Sequence, residues 1–330
     1  MIDFGTIIKL STLAVLAGFV IDLILGDPRW LLHPVVLMGK IITACEKITR
    51  KIFLKTKNGE NLAGFVTVFI VVAISGILPV LILWGCVKIN IWLYFAVESV
   101  MCWQILAGKS LKVESMRVFT ALENGDLNGA RKWLSYIVGR DTENLCEAGI
   151  AKGAVETVAE NTADGVIAPM IAILLGGAPL GFIYKAVNTC DSMIGYQNEK
   201  YKWFGTFGAR LDDFCNFVPS RISALLLIDS AWLCGFNWRN ALKIWKRDRR
   251  CHHSPNSAQT ESAVAGALEI QLAGDAVYGG VVKKKPTIGD SLREIEIADI
   301  KKANKLMTVA SVWGLLWMTA LKVVILLIAL

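Results

Sequence analysis

Apolar residues gather in six long runs that polar stretches separate. The runs lie at residues 7–25, 63–87, 91–107, 166–187, 217–236 and 308–330. Each is close to the roughly 20 residues that a helix needs to cross a hydrocarbon core. The fourth run contains Pro169, Gly176, Gly177, Pro179 and Gly181, so we expect a split or re-entrant helix that other segments bury. The pattern predicts an all-α fold, a polytopic integral membrane helical bundle.

The polar stretches between these runs are long enough to form helical loops outside the membrane. The two largest lie at about residues 108–165 and 237–305. Residues 40–57 carry a cluster of Lys and Arg and should be cytoplasmic; alternation of the spans then places both large loops in the cytoplasm. Residues 110–138 have the apolar spacing of an amphipathic helical hairpin, with a turn at 124–126. No internal repeat interrupts the chain, so residues 1–330 are predicted to form a single integral membrane domain.

Composition supports a membrane protein and argues against nucleic acid as its partner. Hydrophobic residues make up 54% of the 330 residues and the mean hydropathy is +0.50, too apolar for an ordinary soluble enzyme. The net charge of +7 is modest, and Lys and Arg gather near the ends of apolar runs, so membrane orientation explains them better than nucleic-acid binding.

The eight cysteines form no CxxC pair and are expected to be reduced and inert. Residues 7–25 lack the flanks of a signal peptide and are expected to be a retained membrane helix.

Carboxylates are densest directly before the fourth apolar run. If this segment is helical, Glu156, Glu160 and Asp164 recur every four residues and lie on one face. Like charges in that register repel one another, so a cation should compensate them. Two interpretations stay open: a solvated helix face on which Lys152 pairs with Glu156, or a Mg²⁺ site, because Mg²⁺ is usually held by one or two carboxylates plus substrate phosphates. Together with Asn161, these carboxylates are the richest group of oxygen ligands in the chain.

A second polar group follows the first apolar run. Asp27 and Pro28 fit the N-cap and the first position of a helix. Arg29 and His33 are less well explained by that structural role. They indicate either contact with another site residue or recognition of a charged ligand.

A third polar group stands at the end of the fourth apolar run. Lys185, Asn188 and Asp191 are spaced three residues apart. Ionisable residues at membrane depth are expensive and are functional candidates by default. The alternative is a lysine that extends to the membrane interface, with Asp191 as its partner.

Two later segments add charged and polar side chains. The segment ARLDDFCNFVPSR supplies Arg210, Asp212 and Asp213. The segment HHSPNSAQTESAVAGAL supplies Ser254, Asn256 and Glu261. Residues 254–256 are predicted to form a turn with N-cap character before a helix of small residues. The two adjacent aspartates stay ambiguous, because a surface Arg210 would neutralise one of them.

Several of these segments together resemble a known family. They are DLILGDPRWLLHPVVLMGK, VGRDTENL, AVETVAENTADGVIAPM, LGGAPLGFIYKAVNTCDSMIGYQNEKY, GARLDDFCNFVPSRISALLL and SPNSAQTESAVAGALEIQLAG. In this order they resemble the successive motifs of the CobD/CbiB family of cobalamin biosynthesis. The resemblance runs from residue 22 to about residue 290. It departs from the family pattern in the loop before SPN and in Gln259 and Thr260 after it.

The resemblance implies an adenosylcobinamide-phosphate synthase, an acid-amine ligase that uses ATP and Mg²⁺. Such an enzyme joins a propionate carboxylate of adenosylcobyric acid, a corrinoid, to the amine of (R)-1-amino-2-propanol or its O-phosphate. A multi-pass protein of the cell membrane, with its active site on the cytoplasmic side, is expected. Its partners would be these substrates and the lipid bilayer, with no nucleic acid. Homo-oligomers and association with other late cobalamin-pathway membrane enzymes stay open.

Residue chemistry within the matching segments then gives provisional roles. Glu156, Glu160 and Asp164 are expected to hold Mg²⁺, and Glu160, Asp191 and Asp212 are candidates for catalysis. The candidates for contact with substrates or phosphates are Asp27, Arg29, His33, Arg140, Asp141, Asn161, Lys185, Asn188, Arg210, Asp213, Ser254, Asn256 and Glu261. All of them are expected to converge on one pocket at the cytoplasmic rim of the bundle.

Two other classes of function stay open. A membrane transporter would use Asp22, Glu98 and Lys185 as intramembrane charges, and the broken fourth run is typical of the discontinuous helices of such proteins. It would not need large polar loops rich in Asp, Asn and Arg. A membrane scaffold without catalytic activity is the third class.

Overall fold

The computed structural model describes residues 4–28, 30–31, 33–196 and 198–329. The helices are α1 (Phe4–Leu25), α2 (Pro34–Ile52), α3 (Lys57–Ile89), α4 (Ile91–Ile105), α5 (Gly108–Glu123), α6 (Leu127–Ser135), α7 (Glu147–Asn161), α8 (Ala168–Ile194), α9 (Thr206–Leu233), α10 (Trp238–Asp248), α11 (Ser257–Leu268) and α12 (Ala298–Ala329). A π-helical segment, Thr162–Ile167, joins α7 to α8. The all-α prediction is confirmed.

Four short strands are the remaining regular structure in the described residues. Strand β1 (Leu272–Ala273) pairs with β4 (Thr287–Ile288), and β2 (Ala276–Tyr278) pairs with β3 (Val281–Lys283), both antiparallel. The β2–β3 connection is a two-residue turn. Its residues, Gly279 and Gly280, have φ values of 58° and 78°, the positive angles that such a tight hairpin turn requires.

Five helical stretches are long and apolar enough to cross a membrane, as expected of a multi-pass membrane protein. They are Gly5–Leu25, Lys57–Ile89, Ile91–Glu123, Glu147–Ile194 and Ala298–Ile328. The sixth predicted span, residues 217–236, falls in α9, which is not one of the five. Arg221, Asp229 and several hydroxyl residues lower the hydropathy of this stretch of α9, and its crossing of the membrane stays a prediction.

The chain forms two compact units. Unit 1 consists of residues 1–107, 169–215 and 318–330, and unit 2 consists of residues 108–168 and 216–317. The predicted single integral domain stays a prediction.

Within unit 1, α1 packs along α4 and α2 packs along α3. Ala14 and Val15 of α1 and Cys102 of α4 are fully buried. The indole of Trp103 donates a hydrogen bond to the carbonyl of Gly26, 2.9 Å away, which anchors the end of α1. The hydroxyls of Thr49 and Thr67 lie 3.0 Å apart across the α2–α3 contact.

Helix α8 is broken in its first half, as its glycines and prolines predict. Gly176 and Gly177 have non-helical backbone angles, and Gly177 has a φ of 64° and a ψ of −165°. This region of backbone space is essentially restricted to glycine. The prediction of a split helix is confirmed.

Unit 2 is built on α7 and α11, with α5 and α6 as the predicted helical hairpin. The hairpin turns at residues 124–126, where Gly125 has a φ of 71° and the Asp126 carboxylate caps α6 by accepting from the Gly129 amide. Every residue of α11 is buried. Its small side chains allow α10 to approach closely, since a Cβ on Gly266 would lie 2.7 Å from the Cα of Ala241.

Candidate functional site

Helix α7 has one partly accessible stripe, and that stripe is polar. Lys152, Glu156 and Glu160 are half-buried, whereas their neighbours from Ile150 to Ala159 are buried. These carboxylates and the residues that interact with them, Arg140, Ser257 and Glu261, are called the recess of unit 2 below. The row is only partly solvated, and the choice between a solvated helix face and a metal site stays open.

Arg140 provides the cation that compensates Glu156. Its guanidinium lies 2.6 Å from Glu156 Oε2, and the two side chains are 15% and 13% exposed. The other oxygen, Oε1, accepts from the backbone amide of Ala273 at 2.6 Å. Both oxygens are thus engaged by donors, and Glu156 ties α7 to the VGRDTENL loop and to β1. The predicted pairing of Glu156 with Lys152 is replaced by this pairing with Arg140.

One turn later, Glu160 meets the start of α11. The hydroxyl of Ser257 donates to Glu160 Oε1 at 2.7 Å. This hydrogen bond fixes the orientation of a carboxylate that would otherwise rotate freely in the recess. It also joins the AVETVAEN and SPNSAQTE segments, which are about 100 residues apart in the sequence.

Glu261 of α11 interacts with both carboxylates of α7 from a fully buried position. Burial is the main cause that raises its pKa well above the ordinary value, and the charges of Glu160 and Glu156 raise it further. Lys285 and Arg140 act in the opposite direction. A carboxyl group in this environment holds its proton more tightly than an exposed glutamate does.

His252 interacts electrostatically with the same carboxylates. Burial, Lys285 and His253 lower its pKa, and the charges of Glu160 and Glu156 oppose that shift. Its Nδ1 accepts from the backbone amide of Ser254 at 3.1 Å, so Nε2 carries the proton in the neutral ring. Lys285, whose ammonium donates to the hydroxyl of Tyr278 at 3.0 Å, supplies positive charge from the segment after β3.

Asp164 follows Glu160 by four residues, but it stands in the π-helical segment Thr162–Ile167, beyond the end of α7 at Asn161. Four residues are close to one turn of either kind of helix. Asp164 is half-buried like Glu156 and Glu160, so the accessible stripe continues to it. The predicted row of three carboxylates stays a prediction, and π-helical turns are frequent at functional sites. Asn161 uses its amide to bond the Thr157 carbonyl at 3.0 Å.

The carboxylates of this recess fit a partial Mg²⁺ site. Among the residues that the structure describes, no three His, Cys, Asp or Glu side chains are grouped to hold a metal ion. Mg²⁺ usually needs only one or two carboxylates when substrate phosphates and water complete its shell. Glu160 and Asp164 are of the right chemical type, whereas Glu156 already accepts from two donors. The predicted metal ligands stay a prediction.

Asp141 has a different role from the carboxylates of the recess. Its two oxygens accept from the amides of Gly279 and Gly280, at 3.0 and 2.8 Å. It thereby fixes the β2–β3 turn against the loop that carries Arg140. A cleft of about 740 Å³ lies beside this contact, and the residues that line it include Arg140, Asp141, Thr142, Glu143, Asn144 and both glycines.

Asn256 precedes α11 but does not cap it through its side chain. Its Oδ1 accepts instead from the hydroxyl of Ser220 and from the Arg221 guanidinium, at 3.2 and 3.3 Å. The predicted N-cap position is confirmed, but the Asn256 side chain bonds to α9 and not to the first turn of α11. Ser254 Oγ accepts from the Asn256 amide at 3.3 Å, so the predicted turn at residues 254–256 is confirmed.

In unit 1, a cavity of about 660 Å³ gathers Asp27, His33 and Lys185. His33, not Asp27, is the N-cap of α2, since its Nδ1 accepts from the Val35 amide at 3.3 Å and Pro34 starts the helix. The predicted N-cap at Asp27 with Pro28 as first helical residue is wrong. His33 Nε2 faces Asp27 Oδ1 at 3.5 Å. Arg29 lies outside the described residues.

A second pair in unit 1 joins α8 to α9. Asn188 donates from Nδ2 to Asp212 Oδ1 at 3.3 Å, and Asp212 is only 7% exposed. Asp191 and Asp213 are half-buried near them in the sequence, and Arg210 is exposed. The segments YKAVNTCD and ARLDDF thus meet through this hydrogen bond.

Each unit therefore brings together its own part of the candidate set. Unit 2 brings together Arg140, Glu156, Glu160 and Glu261. Unit 1 brings together Asp27 with His33, and Asn188 with Asp212. Convergence of both groups on one pocket stays a prediction. Sequence reasoning missed Ser257, His252 and Lys285. The position of Ser257 beside Asn256 was a usable signal, whereas the role of Lys285 depends on how the β2–β3 hairpin folds back.

Comparisons with known proteins extend this description. The family model described as "CobD/Cbib protein" matches residues 15–307. A "Cobalamin biosynthesis protein CobD" of Clostridium perfringens is 48% identical over 301 residues, which cover 91% of this chain and 95% of that protein. The protein of the same name from Geobacter metallireducens is 46% identical, covering 89% and 91%.

The similarity extends to a relative with the name CbiB. A "Cobalamin biosynthesis protein CbiB" of Salmonella paratyphi B is 44% identical over 310 residues, covering 93% of this chain and 96% of that protein. No solved structure is significantly similar to the fold. The family match spans most of the chain and includes the recess of unit 2 as well as the cavity of unit 1. The chain belongs to the CobD/CbiB family.

Proposed function

We propose that this protein is the amide-forming ligase of cobalamin biosynthesis, an adenosylcobinamide-phosphate synthase. Its place in cobalamin biosynthesis follows from its family. The proposed reaction joins a propionate carboxylate of adenosylcobyric acid to (R)-1-amino-2-propanol or its O-phosphate, at the expense of ATP. The recess of unit 2 is the observation that carries the proposal, because Glu160, Glu261, Arg140 and Lys285 combine carboxylates and cations there.

The chemistry requires both signs of charge. A carboxylate is a poor electrophile, so the propionate must first become an acyl phosphate by attacking the terminal phosphorus of ATP, with ADP leaving. The amine nitrogen then attacks the acyl carbon, phosphate leaves, and one proton must be removed from nitrogen. Cationic groups stabilise the charge that spreads over the transferred phosphoryl group. Arg140, Lys185 and Arg210 are proposed for that role.

Metal and base would come from the acidic residues. Mg²⁺, when bound, would neutralise phosphate oxygens and align ATP, and Glu160 and Asp164, with Glu156 as their anchor, are the residues proposed to hold it. Asp191 or Asp212 is proposed to accept the amine proton.

Substrate orientation falls to the polar residues around these groups. Those proposed to contact the corrinoid amides, the aminoalcohol or the phosphates are Asp27, Arg29, His33, Asp141, Asn161, Asn188, Asp213, Ser254, Asn256 and Glu261. The protein is proposed to act in the cell membrane with its site facing the cytoplasm.

The test uses purified protein in detergent with ATP, Mg²⁺, adenosylcobyric acid and each amine in turn. We expect the mass of the corrinoid to increase by one amine less one water, and only when ATP is present. Glu160→Gln should lower the rate at least a hundredfold, whereas Glu114→Gln on the surface of α5 should not change it. A wild-type protein that forms no product with any of the amines would refute the proposed function.

A further inference from the structure

The break in α8 exposes backbone groups inside a stretch that is apolar enough to cross a membrane. Backbone N–H and C=O groups at membrane depth need partners, because no water is available there. Gly176 and Gly177 interrupt the helical hydrogen bonds. Two side chains from other helices of unit 1 meet the two ends that this break creates.

Lys322 of α12 meets the end of the first half of α8. Its ammonium donates to the carbonyl of Leu174 at 2.6 Å. This carbonyl belongs to the last turn before the break, where the helix carries a partial negative charge. A cation at that end satisfies the orphaned carbonyl and complements the local dipole.

Glu98 of α4 meets the beginning of the second half. Its Oε1 accepts from the Ala178 amide at 3.4 Å and from the hydroxyl of Ser11 at 2.8 Å. Glu98 is only 1% exposed. An anion at the start of a helix is favourable for the same dipole reason. Gly177 leaves room for it, since a Cβ at that position would collide with Glu98 Oε1.

The two side chains also interact electrostatically with each other. A buried charge that loses its partner is far more costly than the loss of both charges together. Ser11, Glu98 and Lys322 therefore behave as one unit around the break.

We propose that Glu98 and Lys322 form a charge-compensated clasp that fixes the break in α8 and positions its second half. That half carries Lys185, Asn188 and Asp191, so Glu98 and Lys322 act as positioning residues for them. The catalytic meaning of the clasp rests on the proposed function, whereas its geometry does not. The clasp also gives Glu98 a role other than ion transport, because Glu98 bonds to the start of the second half of α8.

The geometry can be tested with a cysteine that the chain already contains. Cys190 lies in the second half of α8 and is fully buried. Displacement of this half-helix would expose its thiol to N-ethylmaleimide, and peptide mass spectrometry would measure the labelling rate at each cysteine. Cys86, buried in α3, and Cys146, which is exposed, serve as internal references.

The variants are Glu98→Gln, Lys322→Met and the double substitution, with Lys88→Met at the exposed end of α3 as the matched control. We expect each single substitution to raise the labelling rate of Cys190 at least tenfold. The double substitution should return it to within threefold of the wild-type rate, and the control should leave it unchanged. Cys86 should stay protected throughout.

Two results would overturn the clasp. One is an unchanged labelling rate in both single variants, and the other is a double variant at least as reactive as the worse single variant. If neither single variant accumulates as folded protein, the double variant decides: recovery at the wild-type yield supports compensation, and its absence refutes it.

Ligase kinetics separate the clasp from the proposed function. In the single variants kcat should fall at least tenfold, with a smaller change in the KM for the amine, because Lys185 and Asp191 are proposed to act in the chemical steps. The double variant should recover. An unchanged kcat despite exposed Cys190 would overturn the positioning role. Wild-type protein without ligase activity would refute the proposed function and leave the clasp to the labelling result.

Discussion

Replacing Glu156 by glutamine should destabilise unit 2 more than its small change in shape implies. Both carboxylate oxygens accept from donors, one from Arg140 and one from the Ala273 amide, each at 2.6 Å. Glutamine offers one oxygen and one NH₂ group, so its NH₂ must face a donor at one of the two positions. The substitution also leaves the guanidinium without its counter-charge in a site where both side chains are at least 85% buried.

The expected loss of stability follows from the lost hydrogen bond and the unpaired guanidinium. Losing a charge-assisted hydrogen bond and leaving a buried donor unsatisfied together cost about 3 kcal/mol. For a unit of this size, that corresponds to a fall of roughly 6–12 °C in the midpoint of thermal unfolding. The measurement is the loss of the circular dichroism signal at 222 nm on heating the protein in detergent.

Glu114→Gln provides the matched control. Glu114 pairs with Arg117 within α5, but the two side chains are 34% and 30% exposed. Such a pair contributes about 0.5 kcal/mol or less, so the midpoint should fall by about 2 °C at most. Equal shifts in the two variants would contradict the view that Glu156 is an anchor of the recess.

Three further predictions concern separate features. Gly177→Ala should destabilise the protein by about 2 kcal/mol or more, because Gly177 has a positive φ and a Cβ there would collide with Glu98. Gly85 has open space around it, so Gly85→Ala should be neutral or stabilising. Thermal unfolding compares the two variants. Because the pKa of Glu261 is raised in the folded protein, the unfolded chain loses this proton at lower pH, so stability should fall as pH rises above about 4.5. Glu261→Gln should flatten this fall in stability, and Glu294→Gln at an exposed position should not. Asp141→Ala should release the β2–β3 turn, and faster tryptic cleavage after residues 283 and 284 would report it, while an unchanged rate would contradict this role of Asp141.

The local features of the fold were predictable where one physical rule dominates. The lengths of the apolar runs predicted most of the candidate spans. Glycine and proline predicted the break in α8, and the residues at 124–126 predicted the hairpin turn. The span predicted at 217–236 is not among the five apolar stretches, because the run contains Arg221 and Asp229. The strands were not expected, since pairs of two or three residues leave almost no periodic signal.

The candidate site was predictable in its residue types but not in its pairings. The carboxylates of α7 stood out by spacing, yet their partner Arg140 comes from a loop and could not be chosen over Lys152 by sequence distance. The π-helical segment that carries Asp164 was not expected, because nothing in the sequence distinguishes a π turn from an α turn. Ser257 was missed because a hydroxyl at a helix start has a sufficient structural explanation.

The complete burial of α11 has a consequence for how this protein tolerates change. An ordinary amphipathic helix accepts substitutions on its solvent face, so tolerance rises and falls with a period of about 3.6 residues. Helix α11 has no such face, and Gly266 and its small neighbours leave no spare volume. A saturation library should therefore find twelve consecutive intolerant positions, Ser257–Leu268, in place of a periodic pattern.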